Sequence, residues 1–376
     1  MNAAHPRPFT IDVPQAQLDD LKTRLALTRF PEKEIVEDWD QGIPLAYVQE
    51  LAAYWRDSYD WRACEAVLNR LPNFLIEIDG LDIHFIHVRS ANPAARPLIL
   101  THGWPGSVLE FMGVVPDLSE DYHLVIPSLP GYAFSGKPSQ PGWSVPHTAT
   151  AWNALMLALG YDRYFAQGGD WGAAVTDAIG QQNLGNCAGI HLNMVIARPT
   201  PELMTDLTPR EKAAIARMQW YQDKDNGYST QQATRPQTLG YGLADSPVGQ
   251  MAWIIEKFHG WSDCANEDGM SHPENVFSRD HLLDNVMLYW LNNAGASSAR
   301  LYWHSFRQIM GETVTLPMGG TVAPMEIFGP SRRWAEQRFK TIVHWGEPAR
   351  GGHFLAMERP EIFVNEVKAC FSAMTL

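Results

Sequence analysis

The sequence predicts an α/β protein, a mostly parallel sheet with helices on both faces, carrying a helical insertion and a helical N-terminal extension. Three observations predict it. The short apolar runs Pro97-Leu98-Ile99-Leu100, His123-Leu124-Val125-Ile126, Tyr164-Phe165-Ala166-Gln167 and Gly189-Ile190-His191-Leu192 are separated by segments of helix length, the alternation of a parallel sheet. From about residue 200 to 310 the strand signal lapses and the chain becomes helical and aromatic, as in Met251-Ala252-Trp253-Ile254-Ile255-Glu256-Lys257-Phe258. Ahead of any strand, residues 15–71 repeat with helical period: Leu18, Leu21 and Leu25 share one face, and Leu45, Val48, Leu51 and Trp55 another.

The remaining elements follow in order. Phe74-Leu75-Ile76-Glu77-Ile78 and Ile83-His84-Phe85-Ile86-His87-Val88 flank Asp79-Gly80, a pair suited to the positive φ angles of a tight hairpin. Strand-like runs return after the insertion at Gly320-Thr321-Val322-Ala323 and Thr341-Ile342-Val343-His344, and an amphipathic helix around Phe363 to Phe371 closes the chain. The expected divisions are 1–95, an N-terminal domain leading into the first strands; 96–199, the first part of the core; 200–310, a helical cap; and 311–376, the second part of the core.

The totals narrow the function. A chain of 376 residues that is 45% hydrophobic can bury one large core. Its 29 basic and 42 acidic side chains give a net charge of -13, which disfavours nucleic acid and anionic membranes as partners and leaves small neutral substrates open. Cys64, Cys187, Cys264 and Cys370 are too dispersed for a zinc site or a small disulfide framework and read as thiols of a reducing compartment. Met1 to Pro14 lacks the apolar core of a signal peptide, and nowhere do about twenty apolar residues run together. A soluble cytoplasmic protein without a membrane anchor is expected, and a homodimer is the default assembly.

The chemistry starts at Gly168-Gly169-Asp170-Trp171-Gly172, between a predicted strand ending at Gln167 and a helix starting near Ala173. A strand, a glycine-flanked residue in a tight turn and a helix form the nucleophile elbow of the α/β-hydrolase fold. Aspartate at its apex points to attack on sp³ carbon. A serine alkoxide would leave an ether there, whereas a carboxylate leaves an ester that water can cleave. A carboxyl of ordinary pKa ~4 is already ionised at neutral pH, so a base is free for the second step.

His353, in Arg350-Gly351-Gly352-His353-Phe354, follows the last strand and is the candidate base that activates water. Its orienting carboxylate is expected beyond the preceding strand, where Glu326 fits, with Glu312, Glu336 and Glu347 as alternatives. His102, in His102-Gly103-Trp104-Pro105-Gly106, is the rival histidine and reads as structural, because the fold puts its second oxyanion donor at that loop.

Taken together these residues resemble the microsomal-type epoxide hydrolases almost from end to end. Thr28-Arg29-Phe30-Pro31, Gln41-Gly42-Ile43-Pro44, Tyr59-Asp60-Trp61-Arg62 and Ile83-His84-Phe85-Ile86-His87 are similar to that family's N-terminal domain, which wraps the catalytic core. His102-Gly103-Trp104-Pro105-Gly106-Ser107 is similar to its oxyanion loop, in which the bond before proline is typically cis. The backbone N–H groups of Trp104 and Trp171 would then face the oxyanion. Gly227-Tyr228, Arg235-Pro236, Tyr241-Gly242-Leu243, Asp245-Ser246-Pro247-Val248-Gly249 and Glu256-Lys257-Phe258 are similar to its cap. The resemblance implies that Tyr228, and Tyr302 in Ala299-Arg300-Leu301-Tyr302, donate to the epoxide oxygen, with Trp104 also beside the substrate. It implies an epoxide and water as substrates, with no metal and no organic cofactor, and the 14 Trp and 15 Phe suggest an apolar pocket and a hydrophobic or aryl epoxide. Vertebrate members carry an N-terminal membrane anchor, for which this sequence offers no match.

Two other readings share part of this pattern. Haloalkane dehalogenases also place Trp after an Asp nucleophile, but a leaving halide needs indole N–H donors rather than a proton, so the tyrosines separate the two. A non-catalytic binding protein of the same fold has no need to keep Asp170, His353 and both tyrosines.

Overall fold

A computed structural model describes residues 4–308 and 311–376; residues 1–3, at the start of the expected N-terminal domain, and 309–310, at the end of the expected cap, lie outside them. Nine strands form one sheet: β1 (Arg7–Pro8), β2 (Asn73–Ile78), β3 (Leu81–Val88), β4 (Arg96–Thr101), β5 (Tyr122–Pro127), β6 (Tyr164–Gly168), β7 (Cys187–Leu192), β8 (Met318–Thr321) and β9 (Ile342–Gly346). Their order is β1-β2-β3-β5-β4-β6-β7-β8-β9. The pairs from β1 to β3, and β3 with β5, are antiparallel; every pairing beyond them is parallel.

The strand chemistry explains this layout. β6 and β7 are buried along their whole length, as strands covered by helices on both faces must be, and so they read as continuous apolar runs. β2 and β3 join through Asp79 at φ +51° and Gly80 at φ +74°, the two positive angles that a two-residue hairpin needs. β8 starts at Met318, two residues ahead of the expected Gly320, because Met318 and Gly319 pair with β7 and β9 although neither is β-branched. β1 was not foreseen. Two residues, one a proline, carry no periodic signal, yet Arg7 and Pro8 pair with Leu75 and Phe74 at the sheet edge.

Around the sheet, Gln15–Ala26, Leu45–Asp57 and Trp61–Asn69 form the N-terminal helices. Their predicted apolar faces are buried except at Leu45, which is half-buried at the first turn. The insertion after β7 is helical: Pro209–Trp220 runs through a π-helical turn, Tyr221–Asp225, into Gly227–Thr234, followed by Pro236–Asp245, Pro247–Trp261, Arg279–Trp290 and Gly295–Ser305. The second N-terminal helix and the turn after it brace this lid. Tyr59 Oη donates to Asp284 at 2.6 Å and Tyr54 Oη to Asp280 at 2.8 Å. Among the described residues no helix is long and apolar enough to cross a membrane.

Candidate active site

The parallel strands end on one side of the sheet under the lid, and Asp170 sits at the end of β6. Its φ of +52° with ψ of -126° is strained for a residue with a side chain, by about 1–3 kcal/mol. The glycines around it make the turn possible. A Cβ on Gly168 would fall 2.0 Å from the Gly172 carbonyl oxygen, and one on Gly172 would fall 1.9 Å from that of Thr101. The following helix, Trp171–Gln182, starts immediately after Asp170 rather than near Ala173. The Trp171 amide therefore has no intrahelical partner and sits at the positive end of the helix dipole.

The Asp170 carboxylate has two distinct oxygens. Oδ1 accepts the backbone N–H of Trp104 at 2.8 Å, while Oδ2 stands 3.3 Å from Nε2 of His353. The Trp104–Pro105 peptide is cis. His353 lies in the loop after β9, where its own amide donates to the Trp261 carbonyl at 2.9 Å and Phe354 N donates to Glu358 at 2.9 Å. Nδ1 of His353 is 2.7 Å from Oε1 of Glu326, which also accepts the Ile327 amide at 2.7 Å. Glu326 is 1% exposed, and its Oε2 has no partner among the described residues.

Of the four carboxylates considered, Glu326 alone meets His353. Glu312 is exposed, Glu336 pairs with Arg332 at 3.0 Å, and Glu347 pairs with Arg210 at 2.6 Å. His102 has both ring nitrogens engaged, Nδ1 with the Gly103 carbonyl at 2.9 Å and Nε2 with the Leu129 amide at 3.1 Å. Burial lowers it to about 4, so it is neutral and holds the loop.

The lid brings two tyrosines over the carboxylate. Tyr228 stacks on Trp104 at 4.9 Å between centroids, and Tyr302 meets Trp171 edge-on at 4.7 Å; the two phenol rings are 5.9 Å apart. Burial, followed by neighbouring phenols and Asp170, raises both phenols well above their ordinary range, so each is a protonated donor at neutral pH. Asp170, Trp171, Tyr228, Tyr302 and Phe328 line a cavity of about 30 Å³. That holds roughly one water. A larger substrate requires lid side chains to shift.

One neighbour escaped the sequence reading. Tyr221 Oη is 3.1 Å from Tyr228 Oη. A spacing of seven residues would put both rings on one face of a regular helix, but the π-helical turn between them breaks that period, so the sequence carries no clear signal for the pair.

A parallel sheet with a strained aspartate at a strand-to-helix elbow, a late histidine beside it and a helical lid above defines an α/β hydrolase with a carboxylate in the nucleophile's place. Residues 6–111 match the family described as epoxide hydrolase N terminus, and residues 96–236 match the alpha/beta hydrolase fold. A provisionally named epoxide hydrolase of Stigmatella aurantiaca is 49% identical over 97% of this chain and 84% of that one. Epoxide hydrolase 1 of Sus scrofa is 32% identical over 96% and 87%. The structure of Aspergillus niger epoxide hydrolase superposes with a TM-score of 0.90 at 32% identity, covering 99% of this chain and 97% of that one. The chain belongs to the microsomal-type epoxide hydrolases, enzymes built from that N-terminal domain and an α/β-hydrolase domain.

Proposed function

We propose that the chain converts a hydrophobic or aryl epoxide to a vicinal diol in two steps, through an ester on Asp170. In the first, Asp170 Oδ2 attacks one ring carbon, the carbon–oxygen bond of the ring breaks, and the oxygen keeps the electron pair while Tyr228 and Tyr302 donate to it. In the second, His353, oriented by Glu326, takes a proton from water, and the water oxygen attacks the Asp170 carbonyl carbon. The amides of Trp104 and Trp171 stabilise the tetrahedral oxyanion, a contribution of about 10²–10³ in rate per donor. Collapse releases the diol with an oxygen that began on Asp170, and the imidazolium returns a proton to it.

The observation that carries this reading is the pair of buried, protonated phenols set above a carboxylate already held by an oxyanion donor. Phenols aimed at a leaving oxygen make sense for an alkoxide, which must be neutralised, and not for a halide. Turnover assays across styrene oxide, a glycidyl ether and an alkyl halide test it. Diol from the two epoxides without halide release is expected. Halide release without diol supports a dehalogenase instead, and binding without turnover supports a non-catalytic role.

A further inference from the structure

Against the ring of Tyr228 the lid buries a positive charge that the two steps above do not use. Lys257, on Pro247–Trp261, is 5% exposed, and its Nζ stands 4.8 Å from the centroid of the Tyr228 ring and 5.6 Å from that of Trp261. With Trp104 stacked on the same phenol, Tyr228 is flanked by an indole and an ammonium. Asp225 holds the lysine and accepts the Trp261 indole N–H at 2.6 Å with its other oxygen; Glu256 lies 2.7 Å from Nζ.

Burying Lys257 and Asp225 is costly, and apolar side chains of similar volume would pack the lid as well. The anchor also has a particular address. Asp225 ends the π-helical turn that begins at Tyr221, the residue whose hydroxyl meets that of Tyr228. Such single turns are frequent at functional sites. One turn therefore supplies both the hydroxyl partner of Tyr228 and the anchor of its cation. Tyr302 has neither: aromatic rings surround it, its polar neighbour is the Trp171 indole, which favours the charged form, and among the described residues no cation lies over it and no hydroxyl is bonded to its own.

We propose that Lys257, held by Asp225 against the Tyr228 ring, makes Tyr228 the tyrosine that surrenders its proton during ring opening, while Tyr302 only donates a hydrogen bond. This rests on the ring-opening step proposed above. As Asp170 forms its bond to carbon and the ring bond breaks, the proton passes from Tyr228 Oη to the new alkoxide and the electron pair of the O–H bond stays on the phenolate. The ammonium stabilises the negative charge spread into the ring, and Tyr221 donates to the phenolate oxygen. The second proton of the hydrolytic water restores the phenol when Asp170 is regenerated. Lys257 is then a positioning residue acting through Tyr228.

A double-mutant cycle on the single-turnover rate of ring opening tests this. Lys257→Met is made in the wild type, in Tyr302→Phe and in Tyr228→Phe. The expected result is a loss of about tenfold or more in the first two backgrounds and under about threefold in Tyr228→Phe, with breakdown of the formed ester unchanged. Equal losses in all three backgrounds, or no loss in the wild type, overturn the role of Lys257 while leaving the tyrosines as donors. If Tyr228→Phe by itself leaves ring opening unchanged, the donor role of Tyr228 fails and this proposal fails with it. Should Lys257→Met not fold, Lys257→Gln runs the same cycle, deleting the charge but keeping a donor for Asp225.

Discussion

Nε2 of His353 stands 3.3 Å from Oδ2 of Asp170, so the proposed base and the proposed nucleophile already face each other in the resting protein. Burial by itself would lower the imidazole, but the charges of Glu326 and Asp170 and the hydrogen bonds to both outweigh it and hold His353 well above its usual 6.5. The imidazole is therefore charged in the resting site and must lose a proton before it can act as the base proposed above. In the proposed scheme, turning Asp170 into an ester removes one of the two charges, so ring opening lowers the imidazole and lets it release its proton to solvent before it accepts one from water.

The first prediction is about this coupling. Because the folded value is raised, the His353 ion pairs contribute stability that is complete below about pH 6.5 and is lost as pH rises through the folded value. Asp170→Asn should lower the His353 titration, read by nitrogen NMR of the imidazole, and should flatten the fall in thermal midpoint above pH 6.5. Identical titrations in the two proteins would contradict it.

Replacing the base should trap the intermediate. His353→Gln keeps the elbow intact and removes proton transfer from water, so incubation with an epoxide should add its mass to the protein and then stop. An unmodified, fully active variant would remove His353 from the second step.

Glu326 should matter to the same step and less to the first. Its Oε1 accepts a hydrogen bond from Nδ1–H of His353 at 2.7 Å, and an amide there orients the ring less well. Glu326→Gln should slow ester breakdown by about 10²–10⁴ while ring opening changes little. Rapid quenching that finds no accumulated ester would argue against it.

The elbow glycines should be intolerant for a steric reason. Gly172→Ala drives a Cβ to 1.9 Å from a fixed backbone carbonyl and should cost about 3 kcal/mol or more. Gly242, exposed in the helix Pro236–Asp245 with nothing near its Cβ position, is the control. Alanine there should stabilise by about 0.5–1 kcal/mol. Equal denaturation midpoints for the two variants would refute the packing argument.

How much of this was legible depended on whether a residue's neighbours in sequence carry its constraint. Asp170 and His353 were readable because glycines and flanking strands mark their turns, and β4, β6 and β7 because burial on both faces leaves nearly continuous apolar runs. β1 pairs through two backbone units and leaves no pattern. Tyr228 and Tyr302 came into view only by resemblance, since any of the 12 tyrosines could pack a helix. Tyr221, Asp225 and the charge of Lys257 converge on one phenol through a π-helical turn, an irregularity that a 3.6-residue period conceals.

The covalent role of Asp170 is tested most directly by one turnover in heavy-oxygen water with enzyme in excess over epoxide. The diol should carry no label, and heavy oxygen should appear in the peptide containing Asp170. Label entering the diol directly, with Asp170 unlabelled, would mean that water opens the ring without an ester.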